Sequence, residues 1–282
     1  MPYDDYNLIE ITVEDQVALL AMNQPERLNP VSPNNVEVEI RDGLIELEND
    51  TSVRAVVFTG KGRSFSAGAD IRPGGPAPDP RVATMEGSGS QLGRFLYGAI
   101  PGGPGIAGGS MWQYLHQFRK PLIGAVKGYA LGGGWELAEA CDLIVAGESA
   151  QFGSIEVKLG LYPFGIGSQY LARTIGKHRA LWMMMTGNLI DAGTALDWGL
   201  VNEVVSDEEC LSRAFQLARE IIQFPPLALS TMKYMVNKAM RFDEHYDLER
   251  ALAYHLQQTE DTKALRDSYV GRTGKAVEYK NR

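Results

Sequence analysis

The sequence predicts an α/β fold followed by a helical C-terminal region, and three observations predict it. Short, β-branched runs at residues 53–59, 122–126 and 143–146 read as buried strands. A helical segment at residues 135–140 lies between the second and third runs, which gives βα alternation. After a last strand at residues 200–205 the pattern changes to helices alone.

In chain order, apolar alternation at residues 8–13 and 17–22, broken by Glu14, Asp15 and Gln16, predicts an antiparallel hairpin. A helix follows, with Ser32 as its cap, Pro33 in its first turn and Val36, Ile40, Leu44 and Leu47 along one face. The segment 53–59 ends in Gly60, as a buried strand does before a turn. Residues 72–110 are dense in Gly and Pro without a sustained period, and are expected to form a long excursion that acts as a lid or pocket wall. Ser206 and Glu209 fit a capping box that opens a helix to about Phe224, and Pro225-Pro226 separates it from helices at 227–240 and 244–265.

Composition narrows the function classes. The chain has 282 residues, 44% hydrophobic and 22% charged, which suits one substantial core rather than disorder. A net charge of -8 disfavours sequence-independent binding to nucleic acid, which needs a basic footprint. The N-terminal stretch is acidic and no apolar run approaches the ~18 residues of a membrane span, so a cytoplasmic location without membrane contact is expected. Cys141 and Cys210 have neither disulfide-framework nor metal-site spacing and read as reduced packing residues. His116, His178, His245 and His255 are scattered without ligand spacing. Ser66 and Ser154 lie in suggestive loops, but no G-x-S-x-G elbow supports a nucleophile.

Two glycine-containing segments carry the chemistry: residues 66–70, Ser-Ala-Gly-Ala-Asp, and residues 132–136, Gly-Gly-Gly-Trp-Glu. Each follows a strand and leads into a new element, where small residues let backbone approach a ligand and a helix start offers unpaired N–H groups. The Ala67 and Gly133 amides are candidates to converge on one developing oxyanion. No phosphate-cradling G-x-x-x-x-G-K-[ST] or G-x-G-x-x-G accompanies the glycines, so nucleotide chemistry is a poor reading. Glu136 and Glu156 each stand beside a glycine-lined segment, which would set two carboxyls around one small-molecule site for general acid/base work.

At these residues the chain resembles the enoyl-CoA hydratase/isomerase, or crotonase, superfamily. The matching stretches are residues 54–60, 66–70, 120–121, 128–138 and 141–143, then Phe152-Gly153 with Glu156, Gly160-Leu161, Thr186-Gly187 and 199–201, so that the likeness runs from about residue 8 to 265. The resemblance implies a crotonase-like spiral of ββα repeats, with residues 1–205 as catalytic core and 206–282 as a helical region for trimers or hexamers. It implies an oxyanion hole at Ala67 and Gly133, and a substrate-binding segment of Ala67, Gly68, Ala69 and Asp70 with Gly133. Glu136 and Glu156 fall on the family's two hydratase glutamates. The implied reaction is syn addition of water to a 2-enoyl-CoA thioester, with coenzyme A part of the substrate and no metal or redox cofactor.

The chain departs from the family pattern in three places. Phe164 stands where many hydratases have a glycine that helps hold the catalytic water, Trp135 replaces a smaller residue, and the Gly/Pro-rich excursion is longer than in short-chain hydratases. The rival readings are other enolate reactions on the same scaffold: double-bond isomerisation, thioester hydrolysis or C–C bond hydrolysis. A non-catalytic acyl-CoA or RNA binder is the alternative from another class.

Overall fold

The computed structural model of the protein describes residues 3, 5–31, 36–70, 111–163, 165, 167–240 and 258–271. The chain begins with β1 (Ile9–Glu14) and β2 (Val17–Met22), then a 3-10 turn, η1 (Pro25–Arg27), the helix α1 (Val36–Asn49) and β3 (Ala55–Gly60). It continues with α2 (Met111–Gln117), β4 (Leu122–Val126), β5 (Tyr129–Leu131), α3 (Gly133–Glu139), β6 (Leu143–Gly147), β7 (Gln151–Gly153) and a second 3-10 turn, η2 (Glu156–Leu159). After α4 (Gly167–Ile175) and α5 (Lys177–Thr186) come β8 (Ile190–Asp191), α6 (Ala192–Trp198), β9 (Glu203–Val205), α7 (Cys210–Ile221), α8 (Pro226–Met240) and α9 (Glu260–Val270).

The β1–β2 hairpin turns on Asp15 and Gln16, both at positive φ (48° and 67°), as a two-residue turn matched to strand twist requires. The larger sheet has the order β1-β2-β3-β4-β6-β9, and every pair after the hairpin is parallel. Its inner strands β2, β3, β4 and β6 are buried on both faces, and alternation sends successive residues into two cores. Val56, Phe58, Leu122, Val126, Ile144 and Ala146 enter the main core with α1 and α2 residues, whereas Ala55, Val57, Ile123, Ala125 and Val145 meet Cys210, Ala214 and Ala218 of α7. The four-residue spacing of those α7 positions puts them on one face. The first helix beyond residue 205 therefore closes the second face of the sheet.

The smaller sheet, β5-β7-β8, explains the spiral. From β4 the chain steps to β5 and then α3; from β6 it steps to β7, η2 and α4. β3 is likewise followed by Ser66, which bridges Ala130 in parallel register. Each repeat thus gives one strand to the large layer and one to the small, which is the ββα spiral expected.

Three boundaries differ from the sequence reading. Leu200 and Val201 are not strand: Gly199, at φ 78°, ends α6, and the Leu200 amide returns to Ala195 O at 2.9 Å as a left-handed cap. Ser206 and Glu209 do not form a capping box. The Ser206 hydroxyl donates to the Glu209 carboxylate at 2.7 Å within a turn, and α7 starts only at Cys210 without a side-chain cap. The last helix extends beyond Leu265 to Val270. The Ser32 cap, the 72–110 excursion and most of the 244–265 helix lie outside the described residues.

Candidate active site

The site is assembled where the chain leaves β3 and β5. Ser66 and Ala130 are partners in parallel register, with Ser66 N donating to Tyr129 O (2.8 Å) and Leu131 N to Ser66 O (3.0 Å). Ala69 and Gly133 therefore lie the same three residues beyond one paired point. The two segments also touch: a Cβ on Gly68 would stand 2.4 Å from Leu131 O and 3.5 Å from Gly133 N, and Gly68 has φ +86°. Only glycine permits this approach. Gly68→Ala is expected to lower unfolding free energy by roughly 2–4 kcal/mol, from strained backbone plus displaced carbonyl, measured by denaturant titration.

A polar clasp fixes the segment from beneath. Leu28 and Asn29 both adopt positive φ (61° and 50°), unusual outside glycine. The buried Asn29 side chain donates to Lys61 O and Ser64 O, both at 2.9 Å, and accepts Gln24 N at 2.9 Å. The Asn29 backbone carbonyl accepts the Ser66 hydroxyl at 2.7 Å, and Val31 N donates to Gly68 O at 2.9 Å. Ser66 is thereby spent on structure, as the missing elbow motif suggested. Asp70 forms an ion pair with Arg27 of η1, so its carboxylate anchors the end of the segment.

This clasp corrects one assignment. The Ala67 amide donates to Leu28 O at 2.9 Å, and so is not available as an oxyanion donor. The Ala69 amide has no acceptor among the described residues, and Ala69 is exposed. Gly133 opens α3, where amides lack intrahelical partners. Sequence reasoning missed Asn29 and placed the first donor two residues early; the tolerance of Asn for left-handed backbone was the one signal for the clasp.

Both glutamates are buried beside these glycines. Glu136 lies in the first turn of α3, but its carboxylate does not serve that helix start. Its Oε1 accepts the Gly165 amide at 2.7 Å and the Gly167 amide at 2.9 Å, from the segment leading into α4. Phe164 lies outside the described residues; the amides that hold the carboxylate belong to the two glycines that follow it. Glu156 opens η2, where its Oε2 accepts the Ser154 hydroxyl at 2.9 Å and its Oε1 has no hydrogen-bond partner among the described residues. Burial pushes the Glu156 carboxyl above its ordinary range, against the pull of its own amide and of Ser154. A Cβ on Gly132 would stand 3.3 Å from Glu156 Oε1, so this carboxyl faces the glycines that open α3.

The surroundings are packing. Trp135 is fully buried edge-to-face on Phe152, with centroids 5.5 Å apart. His116 is partly buried on α2, its Nδ1 3.1 Å from the Tyr170 hydroxyl, and desolvation of the ring with the nearby Lys233 charge lowers its pKa to about 3. Cys141 and Cys210 are free and buried, and no cluster of metal-ligating residues occurs among the described residues.

Comparison with known proteins places the chain in a family. The model of the enoyl-CoA hydratase/isomerase family matches residues 12–85 and 104–279. A short-chain-enoyl-CoA hydratase of Clostridium acetobutylicum is 34% identical over 285 residues, covering 99% of this chain and 100% of that protein. A 2,3-dehydroadipyl-CoA hydratase of Escherichia coli is 35% identical over 93% of this chain and 92% of its own. Among solved structures, a carnitinyl-CoA hydratase from Mycobacterium avium superposes with a TM-score of 0.77 at 30% identity, covering 98% of this chain and 99% of that one. On its spiral of repeats, its paired glycine segments and these full-length likenesses, the chain belongs to the enoyl-CoA hydratase/isomerase family.

Proposed function

We propose that the protein is an enoyl-CoA hydratase, adding water across the double bond of a 2-enoyl-CoA thioester. The observation that carries the reading is the opposite treatment of two buried carboxyls beside one glycine-lined segment. Glu136 accepts two backbone N–H groups, which favours a carboxylate; Glu156 is desolvated with one oxygen unpartnered, which favours a carboxylic acid. A base and an acid at one site are what hydration needs.

In this mechanism the thioester oxygen lies against the Ala69 and Gly133 amides. Glu136 takes a proton from water as its oxygen bonds to C3, and the π electrons move onto the thioester as an enolate. The two amides stabilise that negative oxygen, a contribution of about 3–4 kcal/mol per donor. The enolate pair then takes the Glu156 proton at C2. Exchange with solvent returns both carboxyls to their starting states, and the net change is addition of one water. Coenzyme A enters as part of the substrate, and the steps call on no resident cofactor. Loss of the conjugated enoyl-thioester absorbance with crotonyl-CoA and longer 2-enoyl-CoA thioesters, with a 3-hydroxyacyl product, tests the reading; no turnover at any chain length contradicts it.

The acid's environment has a stability consequence. Glu156 has a raised folded-state pKa, so ionisation of the unfolded chain begins first as pH rises. Its contribution is fully present below the ordinary value near 4.5 and is lost as pH climbs to the raised value, at about 1.4 kcal/mol per pH unit within that window. Glu156→Gln is expected to gain stability relative to the parent across that window, as followed by denaturant titration at several pH values.

The oligomer belongs to the same proposal. In α8 no residue is buried, and Leu227, Met232, Tyr234, Met235 and Val236 are all more than half exposed. A helix with this much open apolar surface supports assembly through the C-terminal region into a trimer or hexamer. Light scattering should give three or six times the chain mass. No helix among the described residues is long and apolar enough to cross a membrane, and we place the enzyme in the cytoplasm.

A further inference from the structure

Glu156 is gripped by a side chain on one oxygen only. Ser154, itself buried at the end of β7, donates to Oε2 at 2.9 Å, whereas Oε1 is buried without a partner among the described residues and faces Gly132. A protonated carboxyl has one O–H and one accepting oxygen, and a hydroxyl has one hydrogen to place. If the acid proton sat on Oε2, Ser154 would have to accept it, and its own hydrogen would find no acceptor among the described residues. With Ser154 as donor, its hydrogen lies in the Ser154–Oε2 bond and only the acid hydrogen, on Oε1, is left without an acceptor among the described residues, whereas the reverse arrangement leaves both the serine hydrogen and the accepting Oε1 unsatisfied.

We infer that Ser154 is a positioning residue that directs the transferable proton of Glu156 to Oε1, the oxygen that faces the glycines opening α3. The destination of that proton, C2 of an enolate, rests on the hydratase reading; the placement of the proton does not. The unpartnered Oε1 then has a chemical sense, because an oxygen that gives its proton away must not have that proton tied to another protein group. Ser154 also holds the carboxylate left after transfer, so the same bond serves both protonation states.

Other charged groups lie on the elements around Glu156. Lys158 shares its turn, Glu136 stands on α3, Lys177, His178 and Arg179 lie on α5, and Glu260, Asp261 and Lys263 lie on α9. Burial raises the proton affinity of Glu156, and its own amide and Ser154 lower it. Removal of the serine should therefore be felt directly.

The test is Ser154→Ala and Ser154→Cys in the full chain, with folding checked by circular dichroism. The carboxylic-acid C=O stretch of Glu156, identified in infrared difference spectra by its loss in Glu156→Gln, is expected to move to higher frequency in Ser154→Ala and less far in Ser154→Cys, a weaker donor of similar shape. In turnover, kcat of Ser154→Ala should fall roughly 10- to 100-fold, as for loss of a hydrogen bond to a charged group, with KM little changed. The alkaline limb of its kcat profile should move to higher pH, because the ionised form loses its donor. A stretch in Ser154→Ala identical to the parent's overturns the inference whatever the rates. A parent protein that does not hydrate enoyl thioesters defeats the functional reading instead, and the infrared result still decides the role of Ser154.

Discussion

Glu136→Gln and Glu156→Gln are each expected to lower kcat for enoyl-CoA hydration by about 10²–10⁴, while substrate still binds. The glutamine oxygen at position 136 still accepts the Gly165 and Gly167 amides, so the side chain keeps its place but cannot take a proton from water. At position 156 the glutamine keeps an acceptor for the Ser154 hydroxyl and loses the acidic proton. The double variant should be far less impaired than the product of the single losses, because the two carboxyls act in one addition. Steady-state rates at a fixed pH, with KM for each variant, check the expectation; a Glu136→Gln protein within tenfold of the parent would remove the base from the account.

The second large effect concerns the backbone. Gly133 is the first residue of α3, a position where proline fits a helix because the missing N–H has no intrahelical acceptor. A Cβ there meets Val31 only at ordinary contact, 3.5 Å. Gly133→Pro therefore removes one amide hydrogen at a helix position that accepts proline. It is expected to cost about 10²–10³ in kcat, the typical loss of one oxyanion donor. Rates together with an unfolding curve separate this from general damage: an unchanged unfolding midpoint with a reduced rate is the outcome expected.

Much of the scaffold was legible because its strands obey one of two simple patterns. The first hairpin strand alternates, and the central strands are short β-branched runs buried on both faces, so both announced themselves. The smaller sheet did not, because β5 and β7 have three residues each and β8 has two, too short for any period to show. The start of β9 was placed too early because the apolar Leu200 looks like strand, whereas the left-handed Gly199 before it turns the Leu200 amide back to the helix cap.

The site was legible in outline and not in detail. Glu136 and Glu156 were recognisable through the family resemblance, since an acid in a first helical turn is by itself commonplace. What spacing could not reveal is that Glu136 turns away from its own helix to the Gly165 and Gly167 amides. Nor could it tell Ala67 from Ala69. That choice depends on which amide the Leu28 carbonyl consumes, and therefore on a contact across 39 residues made by a turn with two positive-φ side chains.

The most direct test of the central claim is the fate of solvent atoms in the product. With crotonyl-CoA in ¹⁸O-labelled deuterium oxide, initial turnover should give an intact 3-hydroxyacyl thioester carrying ¹⁸O at C3 and one deuteron at C2. A product labelled in a free carboxylate would indicate thioester hydrolysis, and a shifted double bond without ¹⁸O would indicate isomerisation; either would contradict the hydratase account.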